Sequence, residues 1–313
     1  MRVTGYWPKN KAALARKSRV SVNLEYAALR SVCALVNCVP YSAAMAIAKA
    51  LGWLAFHVFK FKRERTVSRI RGVFPEKSEA EVNAIAVSSI TNMIQTAVEM
   101  IRAPRLSRKW MDRHVLDGKM YKDRLQQYVD EGKGVVIMVP HSGNWYMAAW
   151  SMAKYGLPLF AIAAKQRNQK IDAWMKRQYG DIEVVERGSA KTLVEIKRKL
   201  QAARAFAILP DLRVPQRDVE VDFLGGKANV SHAAAMFAVN CSSPVVVAMM
   251  TRSAGKHVFH HLATLRPDPA ATDKKEEAKR ITREAMALLD KGIRNHPGDW
   301  FWYNKRWILQ PVG

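Results

Sequence analysis

The spacing of apolar and polar positions changes character along the chain, and each change marks an element. Between Arg30 and Lys60 the only formally charged side chain is Lys49, and Asn37 and Pro40 interrupt the apolar run. A spanning helix needs about 20 continuous apolar residues. The pattern therefore predicts two shorter helices, over residues 25–37 and 41–59. Pro75 breaks the chain, and Ser78 with Glu81 forms a capping-box signal for a helix to about Ile101. Its apolar positions Val82, Ile85, Ile90, Ile94, Val98 and Ile101 roughly follow helical spacing, so it is expected to be a packing helix that Pro104 ends. A further helix over 121–131 leads through Gly132 and Gly134 into the middle of the chain.

From there the period shortens. Residues 135–139 are too few for an ordinary helix and too apolar for a loop, so they read as a strand buried on both faces. Strand signals follow at 157–163, 182–185 and 206–209, with helices predicted at 170–179 and up to Ala203, the latter capped by Ser189. A short strand at 219–223, a Gly225-Gly226 turn, a helix over 230–239, a buried strand at 245–250 and a weakly alternating stretch at 257–265 come next. A helix over 276–293 and an aromatic, basic tail from Trp300 to Trp307 close the chain. Such alternation predicts an α/β fold with a mostly parallel central sheet flanked by helices. An N-terminal helical, membrane-associating part is expected over 1–72, and the α/β domain over 73–313, with 73–131 as its leading helices.

Composition adds charge to this picture. The 313 residues carry 51 Lys+Arg against 27 Asp+Glu, a formal net charge of +24. That excess calls for an anionic partner: nucleic acid, a phospholipid surface or a phosphorylated substrate. Lys60, Lys62, Arg63, Arg65, Arg69 and Arg71 follow directly behind Trp53, Phe56, Phe59 and Phe61. An apolar surface beside a basic cluster is the arrangement of an interfacial anchor; its plain alternative is a solvated basic face on a soluble helical bundle. Nucleic-acid binding rests on charge alone, without a recognition-helix or stacking motif, and is not expected. Three cysteines, Cys33, Cys38 and Cys241, form neither a CxxC pair nor an even disulfide framework, so a reducing environment is the default. The basic first twenty residues lack the pattern of a cleaved secretion signal.

Candidate chemistry gathers where the first buried strand stops. Pro140 delivers His141 into a turn with Ser142, Gly143 and Asn144, and Asn144 suits the N-cap of a helix beginning at Trp145. Ligands bind at the carboxyl ends of strands in open α/β sheets, and a histidine there can accept and return a proton near neutral pH. Gly143 would let a substrate approach the backbone, and amides from Gly143 to Trp145 would hold a developing negative charge. Ser142 lacks a G-x-S-x-G setting, which makes it a weak nucleophile candidate. The strand at 206–209 ends the same way, in Pro210 and then Asp211. His232, His257, His260 and His261 lack ligand-like spacing, so no metal site is expected.

The run PHSGNW after an apolar strand resembles the His-x-x-x-x-Asp/Glu motif of the glycerolipid acyltransferase superfamily. Within it the chain resembles the branch of bacterial lipid A late acyltransferases and phosphatidylinositol mannoside acyltransferases. RIRGVFPEKSEAE, ERGSA, AILPD, DFLGGKANVSHAAAMFAV and HPGDWFWYNKRW carry the same resemblance in order along nearly the whole chain. It implies O-acyl transfer from an acyl-acyl carrier protein or acyl-CoA thioester to a glycolipid hydroxyl, without a cofactor, on an anionic membrane surface at the cytoplasmic face of a bacterial inner membrane. His141 would be the general base. Arg187 matches a substrate-binding arginine, and Arg213 is a candidate for an anionic head group, as Ser142, Gly143, Asn144 and Trp145 are for substrate contacts.

One position departs from the pattern: the motif acid is Tyr146 here. A tyrosine can hydrogen-bond an imidazole but stabilises imidazolium poorly. The orienter of His141 is therefore expected to be Asp211 or Tyr146, with Glu186 a weaker candidate. If none serves, the chain is an acyltransferase-fold lipid-binding pseudoenzyme.

Overall fold

The computed structural model describes residues 18–188, 191–305 and 307–310. The basic stretch through Lys17 and the cap expected at Ser189 lie outside the described residues. In chain order the elements are α1 (Arg19–Cys38), α2 (Tyr41–His57), α3 (Arg63–Val73), α4 (Glu79–Arg102), α5 (Arg108–His114), β1 (Val115–Leu116), α6 (Gly118–Asp130), β2 (Val135–Met138), α7 (Trp145–Lys154), β3 (Leu159–Ala163), α8 (Gln169–Gln178), β4 (Glu183–Glu186), α9 (Thr192–Gln201), β5 (Ala205–Ile208), β6 (Val219–Phe223), β7 (Gly226–Val230), α10 (Ala233–Cys241), β8 (Val245–Ser253), β9 (Lys256–Leu265) and α11 (Lys274–Asn295).

The fold is α/β, as the alternation predicted, with a seven-stranded sheet in the order β1-β9-β8-β2-β5-β3-β4. β2 lies at its centre, parallel to β5 and β8, and β9 runs antiparallel against β8. All four residues of β2 are buried because both faces are covered. Val136 and Met138 join Phe160, Phe206, Val245 and Val247 in a core shared with α9, α10 and α11. Val135 and Ile137 turn the other way, into a core with Met147, Trp150 and Leu159. This period-two division of one apolar run holds helices on both faces of the sheet.

Two segments differ from the sequence expectation. The helix expected over 230–239 begins only at Ala233, and residues 226–230 form a strand: β7 pairs antiparallel with β6, Val219 opposite Val230. Leu224 and Gly225 have φ values of 50° and 78°, a two-residue hairpin turn whose hand matches strand twist. A leucine in that conformation is an uncommon turn signal, and here its amide is held by Asp290 Oδ1 at 2.5 Å. The second difference is α5 and β1, a short pair without a clear periodic signature.

The capping box at Ser78 and Glu81 forms as expected. The stretch Glu79–Arg105 has the length and composition to cross a membrane, with a mean hydropathy of 1.2. In this fold α4 is a core helix, with Val82, Ala86 and Glu99 wholly buried. α1, α2 and the turn after α2 instead present apolar side chains outward: Leu35 is 71% exposed, Trp53 52% and Phe59 74%. Of the basic cluster that follows, Arg69 turns inward. Its guanidinium donates to the carbonyls of Trp302 and Asn304 at 3.0 and 2.7 Å, and burial beside Arg65 pushes its pKa down to about 10.

Candidate active site

The register of the two central strands decides the site. β2 and β5 are neighbours, parallel, with Met138 opposite Ile208. The last ladder bond runs from Val139 N–H to the Ile208 carbonyl, 3.1 Å, and then each chain meets a proline, Pro140 or Pro210, which has no amide to continue pairing. His141 and Asp211 each lie three residues beyond one member of the Met138–Ile208 pair. Equal offsets on adjacent parallel strands bring them together.

The contact is a dyad. His141 Nδ1 lies 2.7 Å from Asp211 Oδ1, while Asp211 Oδ2 accepts the His141 amide at 2.7 Å and the Trp300 indole N–H at 2.8 Å. The Asp211 side chain is 1% exposed and that of His141 18%. Burial pushes the Asp211 carboxyl up. The His141 imidazole and the hydrogen bonds from His141 and Trp300 outweigh it, holding the group below the usual carboxylate range. With Nδ1 facing a carboxylate, Nε2 is the nitrogen left to exchange protons. The Trp145 indole packs edge-on to the imidazole at 5.1 Å, and Phe301 lies 6.4 Å beyond it, an aromatic wall on one side of the histidine.

The hydroxyl of Tyr146 bonds elsewhere than to His141. It is buried and donates to the Gln178 carbonyl, because the first turn of α7 aims position 146 into the lower core beside Met147 and Trp150. Burial and the neighbouring Tyr179 push its pKa up, so it is a neutral structural donor. Glu186 ends β4, three strands from β2 in the sheet order.

The turn residues make most of their contacts within the protein. Gly143 has φ +54°, and a Cβ there would meet the Met250 carbonyl oxygen at 2.2 Å. Glycine is needed because β8 approaches, rather than because a substrate does. The Gly143 amide donates to the Asp299 carbonyl at 2.9 Å, which removes it from an oxyanion role. The first-turn amides of Trp145 and Tyr146 have no acceptor among the described residues, as helix geometry dictates. Ser142 is 1% exposed and its hydroxyl has no partner among the described residues, so no base activates it. Asn144 is fully buried: its Oδ1 caps α7 by accepting Met147 N–H at 2.8 Å, and its Nδ2 donates to Glu99 at 2.6 Å. Both polar ends of Asn144 are thus engaged within the protein.

Arg187 follows β4 on the exposed carboxyl-end rim, about 14 Å along the sheet from β2 at ~4.8 Å per strand. Arg213, in the loop after Asp211, donates from Nε to the Gln310 carbonyl at 2.7 Å. His232 is nearly buried and pairs with Asp218, bracing the β6–β7 hairpin against the start of α10. Among the described residues no group of three or more His, Cys, Asp or Glu side chains is arranged to hold a metal ion.

Sequence reasoning missed a second buried cluster. Glu99, on α4, is wholly buried and accepts from Arg252 Nη1 and Nη2 at 2.9 and 2.7 Å, Tyr41 Oη at 2.5 Å and Asn144 Nδ2 at 2.6 Å, with His257 Nε2 at 3.0 Å. Burial pushes this carboxyl up, but His257 and Arg252 hold it well below the usual range. The available signal was the polar residues Ser89, Asn92, Thr96 and Glu99 at helical spacing among the apolar positions of α4. Asp299, whose carbonyl holds Gly143, is perturbed the other way, pushed up to about 6 by burial.

Comparison with known proteins gives the chain relatives by sequence. The profile of a family described as bacterial lipid A biosynthesis acyltransferase matches residues 15–308. The chain is 26% identical over 200 residues to a phosphatidylinositol mannoside acyltransferase of Mycolicibacterium smegmatis, covering 59% of this chain and 60% of that protein. A protein of the same name from Mycobacterium tuberculosis is 23% identical over 256 residues, covering 78% of this chain and 76% of that one.

Proposed function

The chain belongs to the bacterial lipid A biosynthesis acyltransferase family, and from that premise we propose that it transfers a fatty acyl chain from an acyl thioester, carried by acyl carrier protein or coenzyme A, to a hydroxyl of a glycolipid acceptor. The observation that carries this reading is the His141–Asp211 dyad at the carboxyl end of β2.

His141 Nε2 takes the proton of the acceptor hydroxyl as its oxygen attacks the thioester carbonyl. Asp211 holds Nδ1–H and stabilises the imidazolium that forms. The tetrahedral oxyanion faces the first-turn amides of α7, where Trp145 and Tyr146 supply donors at the positive end of a helix. Collapse breaks the carbon–sulfur bond, and the thiolate leaves with the proton held by His141. The products are an ester and a free thiol, without a covalent acyl-enzyme. Arg187 clamps a phosphate of donor or acceptor by bidentate hydrogen bonding, at a separation from His141 suited to a long, bipartite substrate; Arg213 lies toward the anionic head group.

The family description names lipid A, and the relatives' names a mannosylated phosphoinositide. Both are glycolipids with free hydroxyls and phosphate, and that is the acceptor class proposed here. Exposed Leu35, Trp53 and Phe59, with Lys60 and Lys62 beside them, support docking at the cytoplasmic face of a bacterial inner membrane. Each cation near an anionic surface adds about 1 kcal/mol. The pseudoenzyme alternative rested on Tyr146; a carboxylate supplied by Asp211 favours the enzymatic reading.

The test is turnover of labelled acyl donors with glycolipid acceptors by the parent protein and by His141→Ala. Transfer by the parent and its loss, by at least about 10³, in a folded H141A support the mechanism. Equal turnover by both proteins would sink it.

A further inference from the structure

Helix α4 carries a line of buried polar side chains through an apolar body: Ser89 is 2% exposed, Asn92 5%, Thr96 6% and Glu99 0%. Positions 89, 92, 96 and 99 fall on one helix face. Buried polar atoms are costly unless paired, and besides Tyr41, Arg252 and His257 the partners of this line fall close together. Ser89 Oγ donates to the Trp300 carbonyl at 2.5 Å and accepts the Trp302 amide at 3.2 Å. Asn92 Nδ2 donates to the carbonyls of Gly143 and Asp299 at 2.9 and 3.0 Å. Thr96 Oγ1 donates to the Gly143 carbonyl at 3.3 Å. Glu99 accepts from Asn144 Nδ2 at 2.6 Å.

These six bonds end on one of two segments. One is the turn that carries His141, held at Gly143 and Asn144. The other is 299–302, whose Trp300 indole donates to Asp211 and whose Phe301 amide donates to the His141 carbonyl at 3.0 Å. The helix therefore grips both halves of the dyad from behind, without touching either imidazole or carboxylate. Arg252 ties the arrangement together, donating from Nε to Asn92 Oδ1 at 3.1 Å and from its two terminal nitrogens to Glu99.

We infer that Glu99 is a positioning residue for acyl transfer: it fixes Asn144, Asn144 caps α7 and fixes the turn, and the turn sets His141 against Asp211. The inference rests on the reaction proposed above. It assigns to a helix remote in sequence the duty of ordering the catalytic turn, in a chain whose motif position 146 is not acidic. The geometry gives Asn144 two tasks, and they are separable. Its Oδ1 accepts Met147 N–H, which serine also does at an N-cap; its Nδ2 reaches Glu99, which serine cannot imitate.

The experiment is a double-mutant cycle of Glu99→Gln and Asn144→Ser, read by steady-state acyl transfer and by the ring-nitrogen NMR signals of His141, assigned by their loss in H141A. Asn144→Ser should lower kcat by about tenfold or more, since displacement of catalytic groups by an ångström costs up to about 10², while KM for the donor changes less than about threefold. Glu99→Gln should do at least as much, and the double variant should be no worse than Glu99→Gln alone, because both act through one bond. The His141 nitrogen signals should shift or broaden in Asn144→Ser while its melting temperature stays within a few degrees of the parent. If Glu99→Gln fails to fold, Asn144→Ser alone carries the test through the same two readouts.

Unchanged His141 signals with unchanged kcat in folded Asn144→Ser would overturn the inference, as would kcat effects that multiply in the double variant. A parent protein without transfer activity would overturn the proposed reaction instead. The NMR arm would still decide whether Glu99 and Asn144 set the histidine.

Discussion

Replacing Asp211 by asparagine is the most informative single change, because the hydrogen bonds around it dictate how the new side chain must sit. Two N–H groups converge on Oδ2, from the His141 backbone at 2.7 Å and the Trp300 indole at 2.8 Å. Both can only donate, so the oxygen of the introduced amide has to take that place; the reverse orientation would leave two buried donors unmet, at about 1–3 kcal/mol each. The amide NH₂ then faces His141 Nδ1. A donor at that position selects the tautomer with a bare Nδ1 and a protonated Nε2, which cannot accept the acceptor's proton. The same exchange in a serine protease costs about 10⁴ in kcat, or about 5.5 kcal/mol at ~1.36 kcal/mol per tenfold. We expect a loss of about 10³ to 10⁴ in kcat with KM for the donor changed by less than about threefold. Stability moves in a defined direction. The folded-state pKa of Asp211 is depressed, so the parent draws stability from the ionised carboxylate above about pH 4, and loses it as pH falls further. Asp211→Asn should therefore be less stable than the parent at pH 7, with the gap closing in acid. Acyl transfer at pH 7 alongside thermal melts at about pH 2.5 and pH 7, which bracket the range where a depressed carboxylate gains its proton, checks both parts, and ¹⁵N NMR of His141 reads the tautomer directly. A folded Asp211→Asn that turns over within tenfold of the parent would refute the reasoning.

Tyr146→Phe should keep kcat within about threefold, since the hydroxyl bonds only the Gln178 carbonyl, and lower the melting temperature by a few degrees for the loss of about 1 kcal/mol; a hundredfold loss of activity in a melt-normal protein would return Tyr146 to the dyad. Asp299→Asn tests a carboxyl whose pKa is pushed up to about 6 by burial. The folded state holds that proton more tightly than the unfolded one, so this group costs stability progressively between about pH 4 and 6. The variant should be more stable than the parent at pH 8 by on the order of 2 kcal/mol, and denaturant titrations at pH 5 and 8 that show no narrowing of that gap toward acid would contradict it. Trp53→Ser with Phe59→Ser removes two exposed apolar side chains worth about 1.5–3 kcal/mol each if buried in a bilayer boundary. Sedimentation with anionic vesicles should show at least a tenfold loss of partitioning, and unchanged partitioning would exclude this face as the docking surface.

The apolar periodicities of this chain determined most of its elements. The central strand, the helix capped by Ser78 and the helix starting at Trp145 were legible because each combines a sustained period with a matching boundary residue. Elements whose boundaries depend on unusual turns were not: the β6–β7 hairpin hinges on Leu224 at positive φ, which composition does not announce. The site divides along a similar line. His141 and Asp211 stand out in sequence as ionisable residues behind buried strands that end in proline, but 70 residues separate them. Nothing local says whether their strands are neighbours or in what register they pair. Sheet order and the Met138–Ile208 pairing decided that, and in doing so put Asp211 against His141, while the helix of Tyr146 turns its hydroxyl toward Gln178. Glu99 is the clearest case of what only the tertiary structure decides. As a letter in an amphipathic helix it reads as surface charge. It is a buried counter-ion because Arg252 and His257 on two other strands, and Asn144 from the turn that carries His141, converge on it. A buried carboxylate persists only where such partners meet, and their meeting is a property of the assembled fold.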